Sequence, residues 1–173
     1  MDELAGWADA ARDGDPVAVT ALVRATQGDV RRLCAYLVDD ASADDLAQET
    51  YVRALRALPS YEARAPFRPW LLSIARRACA DALRRRTRRR RLLVRLQGGL
   101  AETVPDATGD VAAADLLSRL DPDRRAAFVL TQVLGLSYAD AAQACEVPVG
   151  TIRSRVARAR DDLAGQVAHR DAR

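Results

Sequence analysis

Residues 137–163 read SYADAAQACEVPVGTIRSRVARARDDL, and their small, apolar and turn residues recur at the spacing of two short helices meeting at an angle. Ser137 with Asp140 three residues on is a variant of the capping box that opens a helix. An alanine-rich helix follows. Cys145-Glu146-Val147 form a tight turn, and Pro148 stands near the start of the next helix, where its missing N–H is tolerated. Ala141, Ala142 and Ala144 allow the second helix to cross close to the first, which is how a helix-turn-helix is built. At about 100° per residue, Ile152, Val156, Ala159 and Leu163 fall on one side of the second helix and should face a core. Gly150, Ser154, Ala157 and Arg158 fall opposite, flanked by Arg153 and Arg155. Small residues permit close approach to a groove floor, and arginine bonds guanine bidentately in the major groove. The expectation is DNA binding; a solvated arginine face on an ordinary three-helix bundle is the bland alternative.

Working outward, helical periodicity continues and strand signals are weak: no sustained apolar/polar alternation occurs. Asp15-Pro16 resembles an N-cap with proline in the first turn, opening a helix through Val17, Leu22 and Val23. Residues 29–38 carry Val30, Leu33, Ala35 and Leu37 and read as a further buried helical stretch. Ser42 with Asp45 reads as another capping-box variant, opening a helix that runs to Leu58 and stops at Pro59. Residues 59–69 hold three prolines and read as a loop, after which a long helix runs from about Pro69 into an arginine block. Residues 97–110, QGGLAETVPDATGD, have the composition of a linker. Periodicity resumes at Val111 and continues to about Val167, broken near Pro122, Gly135 and Pro148. The expected fold class is all-α: two small helical domains, 1–95 and 111–173, joined by a flexible linker at 96–110, the second containing the helix-turn-helix.

All 27 basic residues are arginine, against 24 acids, for a net charge of +3. That total conceals a segregation. Residues 1–50 hold 4 arginines against 11 acids, and residues 51–95 hold 14 against 2. Residues 96–148 hold 3 against 8, and residues 149–173 hold 6 against 3. Acidic and basic blocks in alternation indicate more than one kind of partner surface. Hydrophobic residues make up 49% of the chain, which argues against wholesale disorder. No apolar run approaches the roughly 20 residues that span a bilayer, so no membrane insertion is expected. The start of the chain is acidic and lacks a signal-peptide pattern, and Cys34, Cys79 and Cys145 form no CxxC; a reduced, cytoplasmic protein is the simplest reading, with the cysteines as buried fillers. The one histidine, His169, sits in the C-terminal tail, and neither an HExxH motif nor a glycine-rich phosphate loop is present, so no catalytic residue, metal site or cofactor is assigned.

Two further faces stand out. On the helix from Ser42, Leu46, Thr50, Leu55 and Leu58 point toward a core, while Asp45, Gln48, Glu49, Val52 and Arg56 form a stripe on another side. Acids in a first turn also suit the helix dipole. On the helix from Pro69, Leu71, Ile74, Ala75, Ala78 and Ala82 share one side, and Trp70, Ser73, Arg77 and Arg84 line another, with Arg76 adjacent. An aromatic beside arginines suits single-stranded nucleic acid, whose bases stack while its phosphates pair; Trp70 as a core anchor is the alternative. Arg84–Arg91 holds seven arginines in eight positions. Such density repels itself, so fraying is expected unless a polyanion, a phosphate backbone above all, is at hand.

DDLAQETYVRALRALPSYE followed by FRPWLLSIARRACADALRRR resembles the core-binding and melting signature of bacterial sigma factors, and LGLSYADAAQACEVPVGTIRSRVARAR resembles their reader of the upstream promoter element. Two helical domains on a short linker are similar to the extracytoplasmic-function (ECF) group. The resemblance covers residues 15–165. It implies that Asp45, Gln48 and Glu49 dock on core RNA polymerase. It implies that Tyr61, Phe67, Trp70, Arg76 and Arg77, with Arg84 on the same helix face, engage the minus-ten element and help to melt it. It implies that Arg153, Ser154, Ala157 and Arg158, flanked by Arg155, read the minus-thirty-five element. The expected function is a promoter-specificity subunit, with core polymerase and promoter DNA as partners and an anti-sigma protein as a further candidate. The chain departs from the common family pattern at Arg77, where many relatives have Asn, and at Pro66-Phe67-Arg68-Pro69-Trp70, where many have Ser-Phe-Arg-Thr-Trp. A stand-alone helix-turn-helix regulator is the second class; it would dimerise on a palindromic site.

Overall fold

A computed structural model describes residues 3–64, 66–97 and 111–171. Four helices make up the first half: α1 (Glu3–Arg12), α2 (Pro16–Leu37), α3 (Ala43–Ala57) and α4 (Phe67–Gln97). Four make up the second: α5 (Val111–Ser118), α6 (Pro122–Phe128), α7 (Tyr138–Cys145) and α8 (Val149–Asp171). The described residues contain no strand, so the fold is all-α as expected. Of the expected linker, Leu96 and Gln97 belong to α4, and residues 98–110 lie outside the described residues.

The helix starts follow local chemistry, with one exception. Asp15 accepts a hydrogen bond from the Val17 N–H at 2.8 Å, with Pro16 at the first position, as anticipated. From there α2 runs unbroken for 22 residues, joining the two helical stretches read from periodicity. No proline interrupts it, and its single interior glycine, Gly28, carries too small a penalty to end a helix packed along its length. The exception is Ser42. It occupies the N-cap of α3, yet its hydroxyl makes no cap bond. Asp39 accepts from the Ser42 N–H instead, at 2.8 Å, and so organises the short 3-10 turn Asp40–Ser42. The Ser42 hydroxyl is taken by Arg86 of α4, which also pairs with Asp39. The expected capping box is therefore replaced by a tertiary brace.

Leu33, Cys34, Thr50, Leu71, Leu72 and Cys79 are fully enclosed where α2, α3 and α4 meet. The α3 register differs at one point from expectation: Leu55 is 43% exposed, and Ala54 takes the inward position. All three cysteines are buried. The Cys79 thiol is pushed up by its hydrogen bond with Cys34 and by burial, and burial likewise pushes Cys145 up. Neither therefore offers a thiolate near neutral pH.

In the second half, Asp121 caps α6 by accepting from Asp123 N–H and Arg124 N–H. The helix runs on through a π-turn at Val129–Val133 and ends at Gly135, whose φ of +70° suits glycine. Ser137 caps α7 by accepting from Asp140 N–H at 3.0 Å, while its hydroxyl donates to the Asp140 carboxylate at 2.7 Å. The expected turn before α8 is present, with Glu146 left-handed at φ 59°. A continuous cluster of buried residues takes in both halves of the chain. The arginine run shows no break: α4 stays helical through Gln97. Arginine is a good helix former, and Asp81 and Asp39 neutralise its first members, Arg84 and Arg86.

The exchange at Ser42 has a measurable consequence. Asp39→Ala removes both the turn cap and the pair with Arg86, and is expected to lower stability by about 1 kcal/mol in urea unfolding. Ser42→Ala, whose hydroxyl caps nothing, should cost less than half as much.

Candidate nucleic-acid interface

The helix-turn-helix is α7 and α8, and its second helix is held by α6. Ile152, Val156 and Ala159 are fully buried beneath it. Arg124 pairs with Asp162 at 2.7 Å, Arg155 pairs with Asp123, and Arg160 donates to Gln132 Oε1 at 2.8 Å. These three ties lock the rotation of α8 and leave Arg153, Ser154, Ala157 and Arg158 exposed on one face. Arg155, grouped with that face from sequence, is a brace to α6, with only 23% of its side chain exposed. Ser154 donates to the Thr151 carbonyl at 2.9 Å. Arg153 and Arg158 have no side-chain partner among the described residues, so their guanidinium forks are available to a ligand.

The α4 face is arranged differently. Tyr61 and Phe67 are buried, at 6% and 4% exposure. With the half-buried Trp70 they form an aromatic cluster, the Tyr61–Trp70 centroids lying 4.8 Å apart and Phe67–Trp70 5.4 Å. Trp70 is thus a core anchor in this conformation. Residues 71–75 are buried without a gap, Ser73 included, because α4 packs on one side against its own domain and on the other against α7. That consecutive run, LLSIA, was the sequence signal for a helix covered all round.

Three arginines carry the contact between the halves, and each reaches a carbonyl at the end of a helix. Arg76 Nε donates to Ala144 O at 3.1 Å, in the last turn of α7. Arg68 Nη2 donates to Leu134 O at 2.7 Å, just past the π-turn, while its Nε donates to Asp29. Arg125 of α6 donates to Leu37 O at 3.3 Å, the last residue of α2. Helix-terminal carbonyls lack intrahelical donors, and a cation beside them also meets the negative end of the helix dipole. Glu146 completes the contact, pairing with Arg76 at 3.2 Å and with Arg77 at 2.7 Å. Arg76 and Arg77, singled out for minus-ten DNA, are therefore held by the turn of the helix-turn-helix. Arg68, Arg125, Asp29 and Glu146 were not identified from sequence. No local pattern marks them, since their partners lie 66 to 88 residues away in the three carbonyl contacts.

On α3, Asp45, Gln48, Glu49, Val52 and Arg56 are all exposed, forming the expected stripe. Glu49 is engaged by Arg53 at 2.8 Å, and Arg53 also bonds Asp81 of α4. Arg53 and Arg84 hold the Asp81 carboxyl below the usual range. Asp45 and Gln48 have no side-chain partner among the described residues.

A helical module with an exposed stripe on α3, packed against a helix-turn-helix module, has the arrangement of a bipartite transcription protein. The Sigma-70 region 2 model matches residues 22–89, and the Sigma-70, region 4 model matches residues 110–163. The chain is 48% identical over 162 residues to the ECF RNA polymerase sigma factor SigC of Mycobacterium tuberculosis, covering 88% of this chain and 85% of that one. It is 38% identical over 127 residues to the ECF sigma factor EcfG of Rhodopseudomonas palustris, covering 70% and 68%. Among solved structures it is similar to CnrH in complex with the cytosolic domain of CnrY, with a TM-score of 0.74 at 27% identity, covering 94% of this chain and 96% of that one. It is also similar to the sigma factor RpoE bound to the anti-sigma factor NepR from Bartonella quintana, with a TM-score of 0.73 at 28% identity, covering 86% and 96%. The chain belongs to the ECF sigma factors of the sigma-70 family. It is a promoter-specificity subunit, a class of initiation factors that bind core RNA polymerase and promoter DNA. Among the described residues, no helix is long and apolar enough to cross a membrane.

The two interdomain arginines on α4 should differ in weight. Arg76 is 23% exposed and serves both a carbonyl and Glu146; Arg77 is 55% exposed and serves Glu146 alone. Arg76→Ala is expected to cost about 2 kcal/mol in chemical unfolding, and Arg77→Ala less than about 1 kcal/mol.

Proposed function

We propose that the chain assigns its surfaces to three tasks, working in the cytoplasm where core polymerase meets DNA. Residues 1–95 and 111–173 act as the two domains. Asp45, Gln48 and Glu49 dock on core polymerase. The α4 segment with Tyr61, Phe67, Trp70, Arg76, Arg77 and Arg84 engages and melts the minus-ten element. Arg153, Ser154, Ala157 and Arg158 read the minus-thirty-five element, with Arg155 holding that helix in register. The observation that carries this reading is the contrast between Arg153 and Arg158, which have no protein partner among the described residues, and Arg155 and Arg160, which are spent on α6. In vitro transcription with core polymerase on genomic fragments tests it: a defined set of start sites is expected, and unselective initiation would overturn it.

The same assay separates the surfaces. Asp45→Arg with Glu49→Arg is expected to weaken association with core polymerase at least tenfold while leaving the thermal midpoint within a few degrees. Unchanged capture of core enzyme would make the stripe a solvated face. Arg158→Ala should leave core association intact and reduce discrimination among upstream-element variants by about 1–3 kcal/mol.

The packing of α4 against α7 supports a closed resting form, in which one DNA-binding surface is covered while the recognition helix stays open. Arg76 and Arg77 of α4 cannot reach DNA while Glu146 and the Ala144 carbonyl hold them, and Trp70 is packed against Tyr61 and Phe67. Polymerase binding then separates the halves, and the linker keeps the second DNA contact intramolecular. An anti-sigma protein would act by holding such a state, as suggested by the two similar structures, one with the cytosolic domain of CnrY and one with NepR. Glu146→Lys places a cation beside Arg76 and Arg77 and is expected to expand the free protein in small-angle scattering. An unchanged radius of gyration, with Arg76 and Arg77 still protected, would count against the closed form.

A further inference from the structure

Helix α1 makes a contact that none of the three tasks above uses. Its residues Ala8 and Ala11 are buried, and it packs on α2, on α4 and on the turn Leu58–Ser60 that follows α3. It lies before the segment matched by the region 2 model. From its last residue, Arg12 Nη1 donates to the carbonyl of Tyr61 at 3.3 Å, across 49 positions of chain. Two features hold the guanidinium there. Asp9, one turn back, pairs with Arg12 Nη2 at 3.1 Å. The helix then closes at Gly14, whose φ of +95° lets its N–H donate to Ala11 O at 3.1 Å. Arg12 thus stands at the fixed end of a packed helix rather than at a frayed one.

Tyr61 is where the chain leaves the turn after α3 and heads for α4. Its N–H closes that turn on Leu58 O at 3.0 Å. Its ring meets Phe67 edge-on, with centroids 5.8 Å apart, and lies 4.8 Å from Trp70. Two residues on, Ala63 is left-handed at φ 53°. A residue other than glycine keeps that conformation only where its surroundings over-determine it. The Arg12 bond is one such restraint. Because the peptide unit is planar, holding the Tyr61 carbonyl orients the whole Tyr61–Glu62 peptide. That sets both the path of the chain into Ala63 and the seat of the tyrosine ring against Trp70.

We propose that Arg12 is a positioning residue for the aromatic cluster: through the Tyr61 carbonyl, α1 seats Tyr61 and Trp70, and so sets how readily the α4 segment opens the minus-ten element. Arg12 acts through Tyr61 and makes no DNA contact in this scheme. The link to promoter opening rests on the reading of those aromatics as minus-ten contacts; the seating of Trp70 does not. A single N–H reaches the carbonyl, so lysine at this position keeps the contact and alanine loses it.

The full chain has two tryptophans, so a Trp7→Phe background leaves Trp70 as the single emitter. There, Arg12→Ala is expected to shift the emission to the red and to raise its quenching by acrylamide, with the thermal midpoint within a few degrees. Arg12→Lys should return both signals to those of the parent. In holoenzyme reconstituted with core polymerase, on a promoter mapped by the transcription assay, Arg12→Ala should slow opening of the duplex about fivefold, the factor that one hydrogen bond of ordinary strength is worth. Capture of core enzyme and initiation on a template already melted over the minus-ten element should stay unchanged, whereas a general loss of folded protein would lower both. Unchanged Trp70 emission in Arg12→Ala would overturn the proposal, as would an equal fall on duplex and premelted templates. Trp70→Leu, made in parallel, separates the two readings. If it leaves duplex opening unchanged, the minus-ten assignment fails and takes the link to opening with it. If it slows opening and Arg12→Ala does not, the positioning role alone fails.

Discussion

Arg76 leaves its own domain to donate to the carbonyl of Ala144, at the end of a helix that has run out of internal donors. The same chemistry recurs at Leu134 with Arg68 and at Leu37 with Arg125. Each pairing meets an orphan carbonyl with a planar cation, and bonds of this type to charged donors are worth about 1.5–3 kcal/mol. The packing of the two halves depends on these contacts. Without Arg76 the Ala144 carbonyl would lose this donor, since the turn after α7 caps only Ala142 and Gln143. Burial reinforces the constraint at Arg125, where it pushes the guanidinium down even as three carbonyls compete for it.

Arginine is thus used in three ways by one chain that has no lysine. Between helices of one domain it braces, as in Arg155 with Asp123 and Arg53 with Asp81. Between domains it caps. At Arg153 and Arg158 on the exposed side of α8, and at Arg88 and Arg91 toward the end of α4, it is left without a side-chain partner among the described residues. The distinction is one of geometry: the same guanidinium is tied down where a carboxylate or carbonyl sits within reach, and left to solvent where none does. The acidic excess of residues 1–50 supplies part of this sorting, since Asp29 and Asp39 each neutralise an arginine of the basic α4 segment.

Much of the architecture was legible because it is written in local signals. The caps at Asp15 and Ser137, the turn around Glu146 and the core face of α8 all follow from residues within one or two turns of each other. The reading slipped where a distant group competed. Ser42 has the sequence of a cap, but Arg86 draws off its hydroxyl. Leu55 fits the apolar spacing of α3, but Ala54 sits where the neighbouring helices close in. Trp70 beside Arg77 reads as a nucleic-acid surface, but Tyr61 and Phe67 enclose the ring from one side.

The amino-acid sequence by itself determined the helices, the helix-turn-helix, the acidic stripe on α3 and the family to which the chain belongs. These rest on periodicity and on contiguous motifs, in which the partners of each residue are its near neighbours along the chain. Only the tertiary structure decided which arginines are free and which are occupied, and which element, α7, covers the second side of α4. Those outcomes depend on donors and acceptors 66 to 70 residues apart, brought together by packing that no local pattern encodes. An unsatisfied carbonyl is invisible in a sequence, because every residue has one; the fold determines which are left without a donor.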